Sequence, residues 1–195
     1  MSALILDSKP VDAPCGLRVR TFKDDPTLAF LGSRRKRPVT ELIIHETVTR
    51  DVATTLRVLR GRKLGVHFLI APDGEVLQLA DPVRTRLEHA APHNVASVGV
   101  EIVNPVEPRY LRKGLPWTRT LKARWAVGGA YVLPTPEQAE ACAVLVDALP
   151  AGGIGPGIGT ILRNAEATAK IRWSKHARTE ITAGLFFTPF RRELQ

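Results

Sequence analysis

The chain alternates short apolar runs with polar breaks, and the periods of those runs predict its elements. Residues 40–46, Thr-Glu-Leu-Ile-Ile-His-Glu, are rich in β-formers and predict a central strand that delivers His45 at its end. From Asp51 the period changes: Val52, Leu56 and Leu59 recur at helical spacing and Gly61 follows, which predicts an amphipathic helix with a stop. Residues 66–71 and 75–80 are apolar runs joined by Pro72-Asp73-Gly74, a hairpin signal because the turn needs positive φ. Residues 97–103 alternate again and predict another strand. Thr135-Pro136-Glu137-Gln138 predicts a helix start, with Thr135 as N-cap, Pro136 at the first helical position and Gln138 closing a capping box. Ala139, Cys142, Ala143, Val146 and Leu149 then mark its buried face.

The remaining segments are less periodic. Residues 1–38 mix prolines and charges and end in Arg34-Arg35-Lys36-Arg37, which reads as a solvated loop. They are taken as an N-terminal extension packed on a domain spanning 39–195. Residues 104–130 form a basic insertion carrying Trp117 and Trp125, closed by Tyr131-Val132-Leu133. Residues 152–159 are a glycine-rich loop, and Thr160–Ala169 is read as a short helix. The last segment carries His176 and then the apolar stretch Leu185-Phe186-Phe187. Interspersed strands and helices give an α/β fold with a mixed sheet.

A length of 195 residues suits one well-cored domain. The net charge of +9 predicts attraction to a polyanion, either nucleic acid or an anionic envelope surface. No recognition helix or aromatic RNA-binding motif accompanies the charge, so specific nucleic-acid binding is not expected. Cys15 and Cys142 make neither a disulfide framework nor a metal motif, and Cys142 reads as a small core residue. No apolar run approaches the roughly 20 residues that span a membrane. The start has no basic n-region, so no secretory signal is read.

The chemistry centres on histidines at strand edges. His45, His67, His89, His93 and His176 are the five in the chain. An imidazole at a strand end suits metal binding or proton handling, because the sheet fixes its direction and the loop leaves it open. His45 and His176 are candidate ligands of one metal. Glu101, inside an apolar strand, needs a reason, since a buried charge is costly unless paired or functional.

Ile43-Ile44-His45-Glu46-Thr47, then His67-Phe68-Leu69-Ile70 with Asp73-Gly74-Glu75, then His89-Ala90-Ala91 with His93-Asn94 and Ser97-Val98-Gly99-Val100-Glu101-Ile102, resemble in order and interval the type 2 zinc N-acetylmuramoyl-L-alanine amidases. That family includes phage lysozyme-like amidases, anhydro-muropeptide amidases and peptidoglycan recognition proteins. The Thr135-Pro136-Glu137-Gln138 helix start is similar to the family's as well, and the resemblance spans roughly residues 40–190. It implies a central mixed β-sheet flanked by helices and a Zn2+ site at one edge. It also implies cleavage of the amide between N-acetylmuramic acid and L-alanine of peptidoglycan or muropeptide. By position it makes His45 and His176 zinc ligands and Glu101 the catalytic acid. It places His89 and Asn94 along the substrate groove, and His67 close to the site, where a hydrogen-bonded core role is equally open. His93 is expected to be an exposed loop residue.

Two departures accompany the resemblance. Val66 stands where many members have a catalytic Tyr before the His67 position. Ala183, before Gly184, stands where the family's third ligand, Asp or Cys, is expected; Glu180 is the nearest carboxylate. The implied alternative is a peptidoglycan-binding protein on the same fold that does not cut. A monomer is expected, made in the cytoplasm and acting on the cell wall after release or delivery. A phage lysin, a wall-recycling enzyme and an injected effector all fit that pattern.

Overall fold

The structure is a computed structural model and describes residues 2–122, 126–151, 160–164 and 170–172. Its N-terminal segment contributes strands that its composition does not announce. β1 (Ala3–Leu6) and β2 (Lys9–Asp12) pair antiparallel. The turn between them puts Asp7 and Ser8 at φ 52° and 67°. β3 (Val19–Thr21) and β4 (Ser33–Arg34) follow, then β5 (Glu41–Glu46), α1 (Val52–Gly61), β6 (Phe68–Ile70), β7 (Val76–Gln78), β8 (Thr85–Arg86) and β9 (Ser97–Ile102). β10 (Thr120–Lys122) pairs antiparallel with β11 (Ala130–Val132) inside the basic insertion. α2 (Pro136–Ala151), β12 (Thr160–Asn164) and β13 (Lys170–Arg172) complete the order.

Seven strands form the main sheet in the order β13-β12-β5-β9-β6-β7-β3. β12, β5, β9 and β6 run parallel, whereas β13 pairs antiparallel with β12 and β7 with β6, so the sheet is mixed as expected. β9 lies between β5 and β6, and all six of its residues are buried. The short helix expected over Thr160–Ala169 is corrected: Thr160–Asn164 is a strand parallel to β5. Its partner's backbone decides this, because a segment with β-branched Thr160 and Ile161 takes a ladder when one is offered.

Side-chain alternation along the sheet separates two apolar clusters. Leu42 and Ile44 of β5, Val98, Val100 and Ile102 of β9, and Phe68 and Ile70 of β6 pack with Ala141, Cys142, Leu145 and Leu149 of α2. Cys142 is a core residue, as its helical position implied, and burial pushes its thiol up to about 12. On the opposite face Leu69, Leu77 and Leu79 pack with Leu56 and Leu59 of α1 and with Trp117 of the insertion.

The α2 start forms as expected. The Gln138 N–H donates to Thr135 Oγ1 and the Thr135 N–H to Gln138 Oε1, each at 3.1 Å. The same amide ties the helix to its surroundings. It accepts from Trp117 Nε1 and donates to the carbonyls of Ile70 and Val103. The 72–74 turn also forms, with Gly74 at φ 80°, and a Cβ there would meet the Glu137 carbonyl oxygen at 2.8 Å.

The basic run 34–37 is corrected at one position. Arg35 is 9% exposed and donates to the carbonyls of Pro82 (2.9 Å), Ser97 (2.8 Å) and Val95 (3.3 Å). Burial, then the neighbouring Arg86, pulls its guanidinium down to about 10, so it stays charged at neutral pH.

Candidate active site

Strand register builds the site. β5 and β9 run parallel with Glu41 opposite Ser97, Ile43 opposite Gly99, and His45 opposite Glu101. Paired residues on neighbouring strands share a face. His45 and Glu101 therefore lie side by side, near the C-terminal ends of two parallel strands, on the α1 face. Crevices outside such strand ends are where open α/β sheets bind ligands. His45 is 7% exposed and Glu101 8%.

His89 reaches this face from the loop before β9. Its ring lies over Gly99, where an added Cβ would sit 2.8 Å from both Cγ and Nδ1 of the imidazole. His89 Nδ1 is 3.1 Å from His45 Nε2, and His89 Nε2 is 3.1 Å from Ser97 Oγ. The two imidazoles meet edge-on, with centroids 5.4 Å apart and planes at 86°.

Asn94 holds the loop that presents His89. Its Oδ1 accepts from the backbone N–H groups of His89 (2.9 Å) and Ala90 (2.7 Å), and its Nδ2 donates to Glu88 Oε2. Asn94 is buried, and its polar atoms are committed to the loop. His93, expected to be exposed, is corrected: it is half-buried, with Nδ1 2.8 Å from Glu41 Oε2.

His67 occupies the core setting, one of the two roles open to it in the sequence. It is fully buried; Nδ1 accepts from the Gly99 N–H at 3.0 Å, so the N–H of its neutral ring is on Nε2 and donates to the Thr85 carbonyl at 2.9 Å. Val66 beside it belongs to the α1-side core and carries no polar atom to the site.

Burial sets the protonation of these rings. Desolvation pulls His45 down to about 4. Desolvation, with Arg35 nearby and against the bond to Thr85, pulls His67 to about 3. His89 falls well below the usual value, first through desolvation and then through His67 and His45. All three are neutral at pH 7, the state in which an imidazole nitrogen can bind a metal.

A further polar group, which the sequence reading missed, braces the strand ends. Glu46 is buried on the α2 side of β5; its Oε1 accepts from the Tyr131 hydroxyl and, at 3.0 Å, from Asn104 Nδ2. The Asn104 N–H donates to Thr47 Oγ1 at 3.2 Å. Val48, just beyond, sits at φ 55°, a strained setting for a β-branched residue. The signal available in sequence was a second acidic residue at the apolar strand's end.

Three His, Cys, Asp or Glu side chains do not converge as a metal site among the described residues. His176, Glu180 and Ala183, with the 152–159 loop and the 185–187 stretch, lie outside the described residues. What is described fits a metal: His45 is a neutral, buried imidazole whose Nδ1 has no hydrogen-bond partner among the described residues.

Comparison with known proteins places the chain in a family. The family model described as N-acetylmuramoyl-L-alanine amidase matches residues 35–162, and the chain belongs to that family. No curated protein sequence matches. Among solved structures, bumblebee PGRP-SA aligns with a TM-score of 0.53 at 15% identity, covering 85% of this chain and 96% of that one. Drosophila peptidoglycan recognition protein SA aligns at 0.49 and 17% identity, covering 76% and 80%. The Escherichia coli N-acetylmuramyl-L-alanine amidase AmiD, solved with an anhydro-N-acetylmuramic acid peptide substrate, aligns at 0.44 and 19% identity, covering 68% and 51%. At these identities the likeness to the bumblebee protein is one of fold.

Proposed function

We propose that this protein is a zinc-dependent amidase that hydrolyses the bond between the lactyl group of N-acetylmuramic acid and L-alanine of the stem peptide. The observation that carries the reading is the pairing of His45 with Glu101 across parallel strands, inside a chain of this family. His45 and His176 would hold the metal, and Glu180 is the nearest carboxylate for a third position. Zinc, when bound, supplies a Lewis acid and a water that ionises near neutral pH.

The chain's own groups do the rest. The Glu101 carboxylate would take the proton of the attacking water and hand it to the nitrogen of the leaving L-alanine. The His89 loop, clamped by Asn94, would border the substrate, and His67 supports it from the core. The excess of positive charge would concentrate the protein near an anionic envelope, in a salt-sensitive way. The cell wall is the proposed place of action, reached by release or delivery.

Ala183 favours one second reading, a protein that binds peptidoglycan without cutting it. Metal analysis combined with a cell-wall turbidity assay separates the two. Bound zinc with clearing, lost on chelation and restored by zinc, supports the amidase. Wall binding without clearing in the presence of zinc supports the binder.

A further inference from the structure

The hydrogen bonds around His89 have a direction, and that direction reaches His45. Ser97 Oγ lies 2.7 Å from the His93 carbonyl oxygen, which can only accept, so the single hydroxyl proton of Ser97 is committed there. At its 3.1 Å contact with His89 Nε2, Ser97 Oγ must then accept, and the His89 N–H is on Nε2. A neutral imidazole carries one N–H, which leaves His89 Nδ1 as a bare acceptor. The atom facing it is His45 Nε2, 3.1 Å away, so the His45 N–H is on Nε2 and its free lone pair is on Nδ1.

We infer that Ser97 and His89 are positioning residues that fix the tautomer of His45, so that Nδ1, not Nε2, is the nitrogen offered to a metal. Gly99 is part of the device. Any side chain there would collide with the His89 ring and break the chain at its middle. The other end is anchored as well, since the His93 ring is held by Glu41. No motion is needed: an imidazole held in one tautomer and one orientation binds metal without first losing that freedom.

The inference rests on reading His45 as a ligand, and two measurements keep it separable from that reading. The first uses metal-free full-length protein with 15N-labelled histidine and a long-range proton–nitrogen correlation spectrum. The expected pattern for His45 is a protonated Nε2 and a bare Nδ1; the reverse pattern overturns the inference whatever the enzyme does. The second measures zinc affinity by chelator competition. His89→Ala is expected to weaken zinc binding about 10- to 100-fold. His89→Asn, whose Oδ1 replaces Nδ1 as acceptor, is expected to recover most of that loss. Equal affinity in wild type and His89→Ala overturns the inference, as does a His89→Asn variant no better than His89→Ala at matched thermal stability. Wild-type protein that binds no zinc refutes the amidase reading instead, and the His45 spectrum still decides the tautomer.

Discussion

Gly99 and His89 fit together as seat and ring: the hydrogen of the glycine leaves the space that the imidazole fills, and a Cβ would come within 2.8 Å of two of its atoms. Gly99→Ala is therefore expected to push His89 off β9 and part it from His45. Because β9 is buried on both faces, the strand cannot yield easily. The expected cost is about 1–3 kcal/mol of stability, with weakened zinc binding. Denaturant unfolding and chelator competition check both. An alanine variant with unchanged stability and zinc affinity would show that the ring is not held there.

Glu101→Gln keeps the shape of the side chain and removes its ability to carry a proton. Peptidoglycan hydrolysis should fall about 10²- to 10⁴-fold, with zinc content and circular dichroism unchanged. Near-full activity in this variant would remove Glu101 from the reaction.

The buried histidines make stability depend on pH. His67 titrates at about 3 in the folded protein, against an ordinary value of 6.5. Between these limits the unfolded chain binds a proton that the folded one refuses. Stability is thus fully present above pH 6.5 and is lost as the pH falls toward 3, by up to about 1.4 kcal/mol per pH unit. His45, held at about 4, adds a loss of the same sign over the window from 6.5 to 4. Urea midpoints should be clearly lower near pH 5 than near pH 7.5; equal midpoints would contradict the buried neutral state.

Gln138 joins α2, Trp117 and the ends of β6 and β9 through one amide. Gln138→Leu preserves volume but strands the Thr135 and Trp117 N–H groups and leaves the Ile70 and Val103 carbonyls short of a donor. A loss of about 2–4 kcal/mol is expected in denaturant unfolding, larger than for an exposed helix cap alone. A loss under about 0.5 kcal/mol would mean water replaces the amide.

Local signals read true where local physics decides. The Asp73-Gly74 turn, the Thr135–Gln138 capping box and the β5 and β9 strands were legible because each carries its own backbone or periodic requirement. β12 was not, since its strand state comes from pairing with β5. The β1–β2 hairpin escaped because Asp7-Ser8 takes the positive φ angles usually left to Asn-Gly. Arg35 looked like one more exposed cation, and only the carbonyls of Pro82, Val95 and Ser97 make it internal. At the site, residue order suggested His45, His89 and Glu101. Their contacts come from strand register and from a loop that brings together two imidazoles 44 positions apart in the chain.

The most direct test is to incubate the purified protein, supplied with zinc, with an N-acetylmuramoyl-L-alanyl peptide and to identify the products by mass spectrometry. The account predicts free N-acetylmuramic acid and a stem peptide with an L-alanine amino terminus, formed by wild type and not by His45→Ala or in the presence of a chelator. Intact substrate in the presence of bound zinc, or cleavage at any other bond, would contradict it.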